Sequence, residues 1–204
     1  MFAVQSKSLK TEILRKAIHI SSLWMPMFIF FADRIISVTL FAVLLLLNVA
    51  IEYAAFQKIP LFGNLFRKLF IKTLRGKEIS RTKFVASGSI YVLLSALIVS
   101  ICFSPKAAAA AMSVMLVADS CAALVGKFFG SIRFANNKSL EGTFAFFVSS
   151  LCVLVLLYQN VSPGLLVATA LVATLTEFFE KNLGIDDNLA IPLVSGFLLN
   201  LLSV

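Results

Sequence analysis

Asp119, Lys127, Arg133, Lys138 and Glu141 all fall in one stretch of 27 residues, "VADSCAALVGKFFGSIRFANNKSLEGT" (117–143), within a chain that is 60% hydrophobic. Ionisable groups inside an apolar chain cost free energy, so a cluster of them marks a place where chemistry is expected. A carboxylate can hold Mg2+, which takes oxygen ligands and commonly bridges to substrate phosphates, while Lys and Arg neutralise charge that develops in phosphoryl transfer. Gly126 and Gly130, four apart, would permit a helix end and a close backbone approach that exposes amide groups to an anion. The pattern is not a Walker A loop, because Cys121 and Phe128 stand where that loop needs a glycine and a Ser or Thr. Protein-kinase and Rossmann glycine patterns also fail. What remains is a short cationic loop bracketed by Asp119 and Glu141, suited to phosphate chemistry at a membrane surface.

The elements that must position these residues are helical. A hydrophobic content of 60% over 204 residues, with a mean hydropathy of +0.97, far exceeds the roughly 45 to 50% of soluble domains. It implies an integral membrane protein. Seven apolar runs approach the length of a membrane-spanning helix, at 17–31, 35–55, 84–103, 107–125, 143–158, 164–179 and 188–202. No short alternating segments of the β-barrel kind are present. The expected fold is therefore all-α, a polytopic bundle of about seven transmembrane helices forming a single domain over 1–204. The basic start followed by an apolar run looks at first like a signal peptide. His19, Trp24 and Pro26 interrupt that run and no small-x-small site follows it, so it reads as a retained first helix.

Net charge is +8, and its distribution sets an orientation. With the N-terminus inside, 16 of the 18 Lys and Arg fall in cytoplasmic segments, leaving only Arg34 and Lys106 outside. The odd number of helices then puts the C-terminus outside. A basic balance of this kind reports topology and contact with anionic lipid headgroups rather than nucleic acid. The segment 56–83 carries eight of those basic residues among Phe62, Phe66, Leu69 and Phe70. It reads as an amphipathic element on anionic headgroups, or as a source of Arg75, Lys77, Arg81 or Lys83 for an anionic substrate. Cys102, Cys121 and Cys152 lie in apolar runs without metal-ligand spacing and read as free thiols.

The depth of the remaining ionisable groups is one-sided. Asp119 lies roughly 10 Å from the inner end of its helix. Glu52, Glu177, Glu180, Asp187 and His19 all fall near the same inner face, and only Asp33 is clearly external. This suits an enzyme whose lipid substrate arrives from the bilayer and whose charged co-substrate arrives from the cytoplasm. A transporter would more typically place such groups near the midplane. Glu52 and Glu180 either snorkel and pair with loop lysines or join the site, and His19 either bonds a backbone carbonyl or does the same.

The sequence also resembles a known family. "ADSCAALVGKFFG" followed by "NNKSLEGT" is similar to the signature of the CTP-dependent lipid-alcohol kinases, which include dolichol kinase, phytol kinase and eukaryotic-type diacylglycerol kinase and are related to phosphatidate cytidylyltransferases. "EILRKAIHI", "RTKFVASGSIYVLL" and "DDNLAIPLVSG" resemble further segments of that family, so the likeness runs from Glu12 to Gly196. The compact prokaryotic branch is the closer comparison.

The resemblance implies a kinase that uses CTP and Mg2+ to phosphorylate a membrane lipid alcohol, either an isoprenoid alcohol or diacylglycerol, at the cytoplasmic face of a cell membrane. It implies that Asp119 ligates Mg2+ or is otherwise essential, with Asp187 and Asn188 completing the site. Lys127, Lys138 and Arg133 would contact nucleotide phosphates, while Gly126, Gly130, Ser139, Glu141 and Gly142 shape the pocket. Arg15, Lys16 and His19 match the N-terminal motif as accessory residues, together with Glu177. The base for the lipid hydroxyl is one of Asp119, Glu141, Asp187 and His19. Two other functions compete: CDP-lipid synthesis by a cytidylyltransferase, and transport of a lipid or anion. The oligomeric state is open.

Overall fold

The computed structural model describes residues 2–57, 59 and 84–201, with the side chains of 2–10 and 183 outside that description. Of the amphipathic segment expected over 56–83, residues 58 and 60–83 lie outside the described residues. Those residues form nine helices, named here α1 (Phe2–Ser21), α2 (Trp24–Phe31), α3 (Arg34–Phe56), α4 (Gly88–Cys102), α5 (Pro105–Phe128), α6 (Leu140–Leu157), α7 (Pro163–Phe178), α8 (Glu180–Leu183) and α9 (Asp187–Leu201). The protein is all-helical, and no β-strand occurs among the described residues; the one isolated bridge pairs Arg133 with Ser139. Three helices, α3, α5 and α6, are long and apolar enough to cross a membrane, and α4, α7 and α9 are shorter apolar helices.

Most helix ends follow from local chemistry. Asp33 caps α3 by accepting from the Ile35 amide at 2.8 Å, and Pro163 opens α7 where its missing N–H costs nothing. Ser139 caps α6 by accepting from the Gly142 amide at 3.1 Å. The run expected to be continuous over 17–31 is instead broken into α1 and α2. Pro26 has no N–H to offer the Ser22 carbonyl and its ring crowds that oxygen. Ser22 O accepts instead from Met25 N in a tighter turn at 2.9 Å.

The helix carrying Asp119 is the centre of the bundle. α5 packs against α1, α2, α4, α6 and α9, and its Ala107 to Ala111 run is buried almost completely. Alanines there let neighbouring helices approach closely, as van der Waals packing in a membrane requires. By contrast α3 leaves Ile35, Leu46 and Leu47 exposed, an outward apolar surface suited to lipid. Cys102 and Cys152 are exposed and Cys121 is half-buried, all three as free thiols.

The two ends of the bundle differ in chemistry. At one end Arg34 donates to Phe103 O at 2.8 Å, Ser104 N donates to the Asn200 side chain at 2.8 Å, and Lys106 lies 4.6 Å from the centroid of the Tyr158 ring. At the other end the C-termini of α5 and α7 meet the N-termini of α6 and α9, and there the ionisable residues gather.

Candidate functional site

A cavity of about 320 Å3 opens at that second end. Its cations are Arg15 and Lys16 from α1, Lys127 from α5, and Arg133 and Lys138 from the α5–α6 loop. Its carboxylates are Glu12, Asp119, Glu177, Glu180 and Asp187. Gly126, Ser139 and Gly142 also line it. The structure thus brings together most of the residues that the sequence singles out, from five long helices, the short α8 and the α5–α6 loop.

Asp119, Glu177 and Asp187 are the buried carboxylates among these. On the central helix, Asp119 accepts a hydrogen bond from the Lys16 ammonium, also buried, across the α1–α5 contact. His19 Nε2 stands 3.2 Å from the same Asp119 oxygen, without the geometry of a hydrogen bond. The spacing of Lys16 and His19, three apart on α1, sets both side chains on one helix face. The N-terminal motif therefore meets the central one directly.

The loop between α5 and α6 is pinned to the end of α7. Lys138 donates to the Glu177 carbonyl and pairs with Glu177 Oε1 at 2.7 Å and Glu180 Oε2 at 3.4 Å. Asn136 donates to Phe178 O at 2.9 Å, and Lys181 donates back to Asn136 O at 2.6 Å. The bonds to Glu177 O and Phe178 O satisfy carbonyls that the end of α7 leaves without helical amide partners. Asn137 makes the turn at φ 67°, a left-handed conformation that asparagine tolerates.

The glycines serve packing around Ser139. A Cβ at Gly126 would sit 2.8 Å from Ser139 Oγ, and one at Gly142 would sit 2.9 Å from the Ala122 carbonyl and 3.2 Å from Gly126 Cα. At Gly130 it would strike the Gly126 carbonyl and the Ser139 side chain. The close backbone approach expected at Gly126 and Gly130 is present: α5 and α6 cross too closely for a side chain at Gly126 or Gly142, and the loop at Gly130 lies against Gly126 O and Ser139.

Some expected site residues stand apart from the cavity. Glu141 Oε1 accepts from the amides of Ser131 at 2.8 Å and Ile132 at 3.3 Å, and Glu141 is not among the cavity-lining residues. Its position orders the loop. Asn188 also lies outside the lining; it donates to the carboxylates of Asp186 at 2.6 Å and Asp187 at 3.2 Å. Glu52 is buried elsewhere, between α3 and α4, where it accepts from Ser87 and Ser89.

Sequence reasoning missed Glu12, Ser95 and Asp186. Pro192, inside α9, has no N–H for the Asn188 carbonyl four residues back. Ser95 Oγ donates to that carbonyl at 2.5 Å, fixing the start of α9 against α4. The proline in "DDNLAIP" was the available signal. Asp186 belongs with Glu180 and Asp187 to a group whose carboxylate oxygens lie within 4.8 Å of one another, and only the fold brings Glu180 to that turn.

The chain is 34% identical over 191 residues to the uncharacterized protein RP860 of Rickettsia prowazekii, a match covering 89% of this chain and 90% of the relative. It is 34% identical over 128 residues to the uncharacterized protein MJ1137 of Methanocaldococcus jannaschii, covering 59% and 61% of the two chains. No family model and no solved structure matches it.

Proposed function

The chain belongs to the family of the Rickettsia prowazekii protein RP860, and we propose that it is a membrane phosphotransferase moving the terminal phosphate of a nucleoside triphosphate to the hydroxyl of a lipid alcohol. CTP is the nucleotide and a polyprenol-like alcohol or diacylglycerol the acceptor, on the resemblance of the motif to lipid-alcohol kinases. The observation that carries this reading is the cavity, in which five basic side chains face carboxylates at one end of an apolar bundle. A triphosphate needs cations, a lipid needs access from an apolar surface, and both needs meet there.

The chemistry asks mainly for positioning and charge stabilisation. Lys127, Arg133 and Arg15 bind the phosphates, and Lys138 stays oriented by its contacts to Glu177 and Glu180. Asp119, held by Lys16, accepts the proton of the lipid hydroxyl. The hydroxyl oxygen bonds to the terminal phosphorus, the bond to the bridging oxygen breaks, and the nucleoside diphosphate departs. Glu141, whose Oε1 accepts from the loop amides and which lies outside the cavity lining, orders the loop in this reading. A bound Mg2+ would neutralise charge on the phosphate oxygens, and the carboxylates of the cavity wall supply the oxygen ligands that such an ion takes.

The proposed placement is multi-pass, with seven crossings, the N-terminus in the cytoplasm and the C-terminus outside. The three long apolar helices support membrane insertion, and the 16 of 18 basic residues on one side support the orientation. The cavity then faces the cytoplasm, and the first crossing is α1 with α2. A reporter fused after Val204 should read as external, and a cytoplasmic signal would overturn this topology.

Purified protein incubated with γ-labelled or α-labelled CTP and a lipid panel tests the reaction. Label passing to lipid from the γ position supports the kinase. Label passing from the α position would instead establish cytidylyl transfer, and transfer from neither would leave solute or lipid transport as the reading.

A further inference from the structure

We propose that the Thr143 hydroxyl is a further substrate contact of the cavity, donating a hydrogen bond to an oxygen of the transferring phosphoryl group. For the identity of that group this rests on the proposed function; whether the cavity holds a polyphosphate through Thr143 is independent of any reaction. Thr143 lines the cavity together with the five basic side chains, and its Oγ1 is buried without a hydrogen-bond partner among the described residues.

The open hydroxyl has a local cause. Within the helices, hydroxyls return to the carbonyl four residues back, as Ser120 does to Leu116 O at 2.7 Å, Thr174 to Ala170 O at 2.7 Å and Thr176 to Val172 O at 2.8 Å. Four residues before Thr143 stands Ser139, the cap of α6, whose backbone is extended at φ −103° and ψ 150°. Its carbonyl takes the Thr143 amide at 2.9 Å and leaves the hydroxyl unbonded. Ser37, four residues after the cap Asp33 of α3, also has an unbonded hydroxyl, but it lines no part of this cavity. The cavity is what gives the hydroxyl of Thr143 a use.

Position supplies the partner. Gly142 seats the first turn of α6 against Ala122 O and Gly126 Cα. Thr143 is thereby set beside the stretch of α5 between Asp119 and Lys127, where Ala122 and Ala123 also line the cavity. Cations from α1, α5 and the α5–α6 loop draw an anion to these walls, and a hydroxyl proton bonds a charged oxygen more strongly than a neutral one. Rotation about one bond, between staggered positions, turns Oγ1 to the cavity and breaks no hydrogen bond in doing so. Ser139, four residues earlier in the same motif, is already engaged by the Gly142 amide. A donor on a rigid helical turn, placed where charge gathers on the phosphoryl oxygens, stabilises such a transfer.

Calorimetric titration of the full-length protein in neutral detergent with inorganic tripolyphosphate tests this. Wild type should bind, Thr143→Val should lose about tenfold or more in affinity, and Thr143→Ser and Ser37→Ala should stay within about threefold of wild type. The thermal midpoint of Thr143→Val without ligand should equal or exceed that of wild type, because valine removes an unpaired hydroxyl at nearly constant shape. A lowered midpoint would give the hydroxyl an internal partner and overturn the proposal. So would wild-type affinity in Thr143→Val, an equal loss in Ser37→Ala, or no binding by the wild type. A loss confined to phosphatidylglycerol added to the micelles, with tripolyphosphate unaffected, would move the contact to a lipid headgroup and overturn it too. Because no phosphate transfer is measured, failure here is distinct from failure of the proposed reaction.

Discussion

Lys16 on α1 donates its ammonium to the carboxylate of Asp119 on α5, a contact between residues 103 positions apart that ties the N-terminal motif to the central one. Both side chains are buried. Breaking a buried pair from one side leaves an uncompensated charge, which costs on the order of 3 to 5 kcal/mol. Lys16→Met should therefore lower the unfolding midpoint strongly, and Lys16→Met with Asp119→Asn should recover most of the loss. A single variant as stable as the wild type would show that the pair carries no structural weight.

The close crossing of α5 and α6 gives a second expectation. An added Cβ at Gly142 meets two backbone atoms that cannot yield, Ala122 O and Gly126 Cα, so Gly142→Ala must separate the helices. Overpacking of this kind costs about 1 to 3 kcal/mol. Gly164→Ala, whose new methyl would find only Ser162 Oγ at 3.8 Å, serves as the control. Thermal unfolding in detergent should separate the two, and equal midpoints would contradict the packing role.

Ser95 and Pro192 share one carbonyl. Ser95→Ala removes the donor to Asn188 O while Pro192 offers no amide, a loss of about 1 to 3 kcal/mol for a buried acceptor. In Ser95→Ala with Pro192→Ala, the new amide at 192 can close the helical bond to Asn188 O. Denaturant midpoints should fall for the first variant and recover in the second; a double variant no more stable than Ser95→Ala would refute this pairing.

How far these features were legible follows from how locally each is encoded. Asp119, Lys127, Arg133 and Lys138 lie on one helix end and the loop that follows it, so contiguity alone brought them to one cavity. Helix positions were also legible, because apolar runs are local signals; the caps at Asp33 and Ser139, which fix two of the ends, emerged only from the structure. The break between α1 and α2 was legible only as an interruption at Pro26, since the exact turn depends on which carbonyl the proline abandons. Glu180 was read as snorkelling or pairing with a loop lysine, and it does pair with Lys138. Its meeting with Asp186 depends on the left-handed turn at Gly184, which spacing does not announce. Glu141 looked catalytic because it closes the motif, yet its carboxylate turns to the loop amides.

That last difference makes a kinetic prediction. Glu141→Gln keeps one acceptor oxygen for Ser131 and Ile132 and should retain transfer within about tenfold, with the change mainly in KM for nucleotide. Lys127→Ala, which removes a cavity cation, should cost roughly 100-fold or more in kcat/KM, in the range seen for groups that stabilise transition-state charge. Steady-state rates with labelled nucleotide check both. A Glu141→Gln enzyme as impaired as Lys127→Ala would return Glu141 to the catalytic set.

The most direct measurement follows phosphate from γ-labelled CTP into lipid in vesicles reconstituted with wild-type or Asp119→Asn protein. Wild type should form a labelled phospholipid product that requires a divalent ion and an added lipid alcohol, and Asp119→Asn protein of native helical content should form at least about 100-fold less. Labelled product formed equally by both proteins, or no product from wild type with any lipid alcohol, would contradict phosphoryl transfer at this cavity.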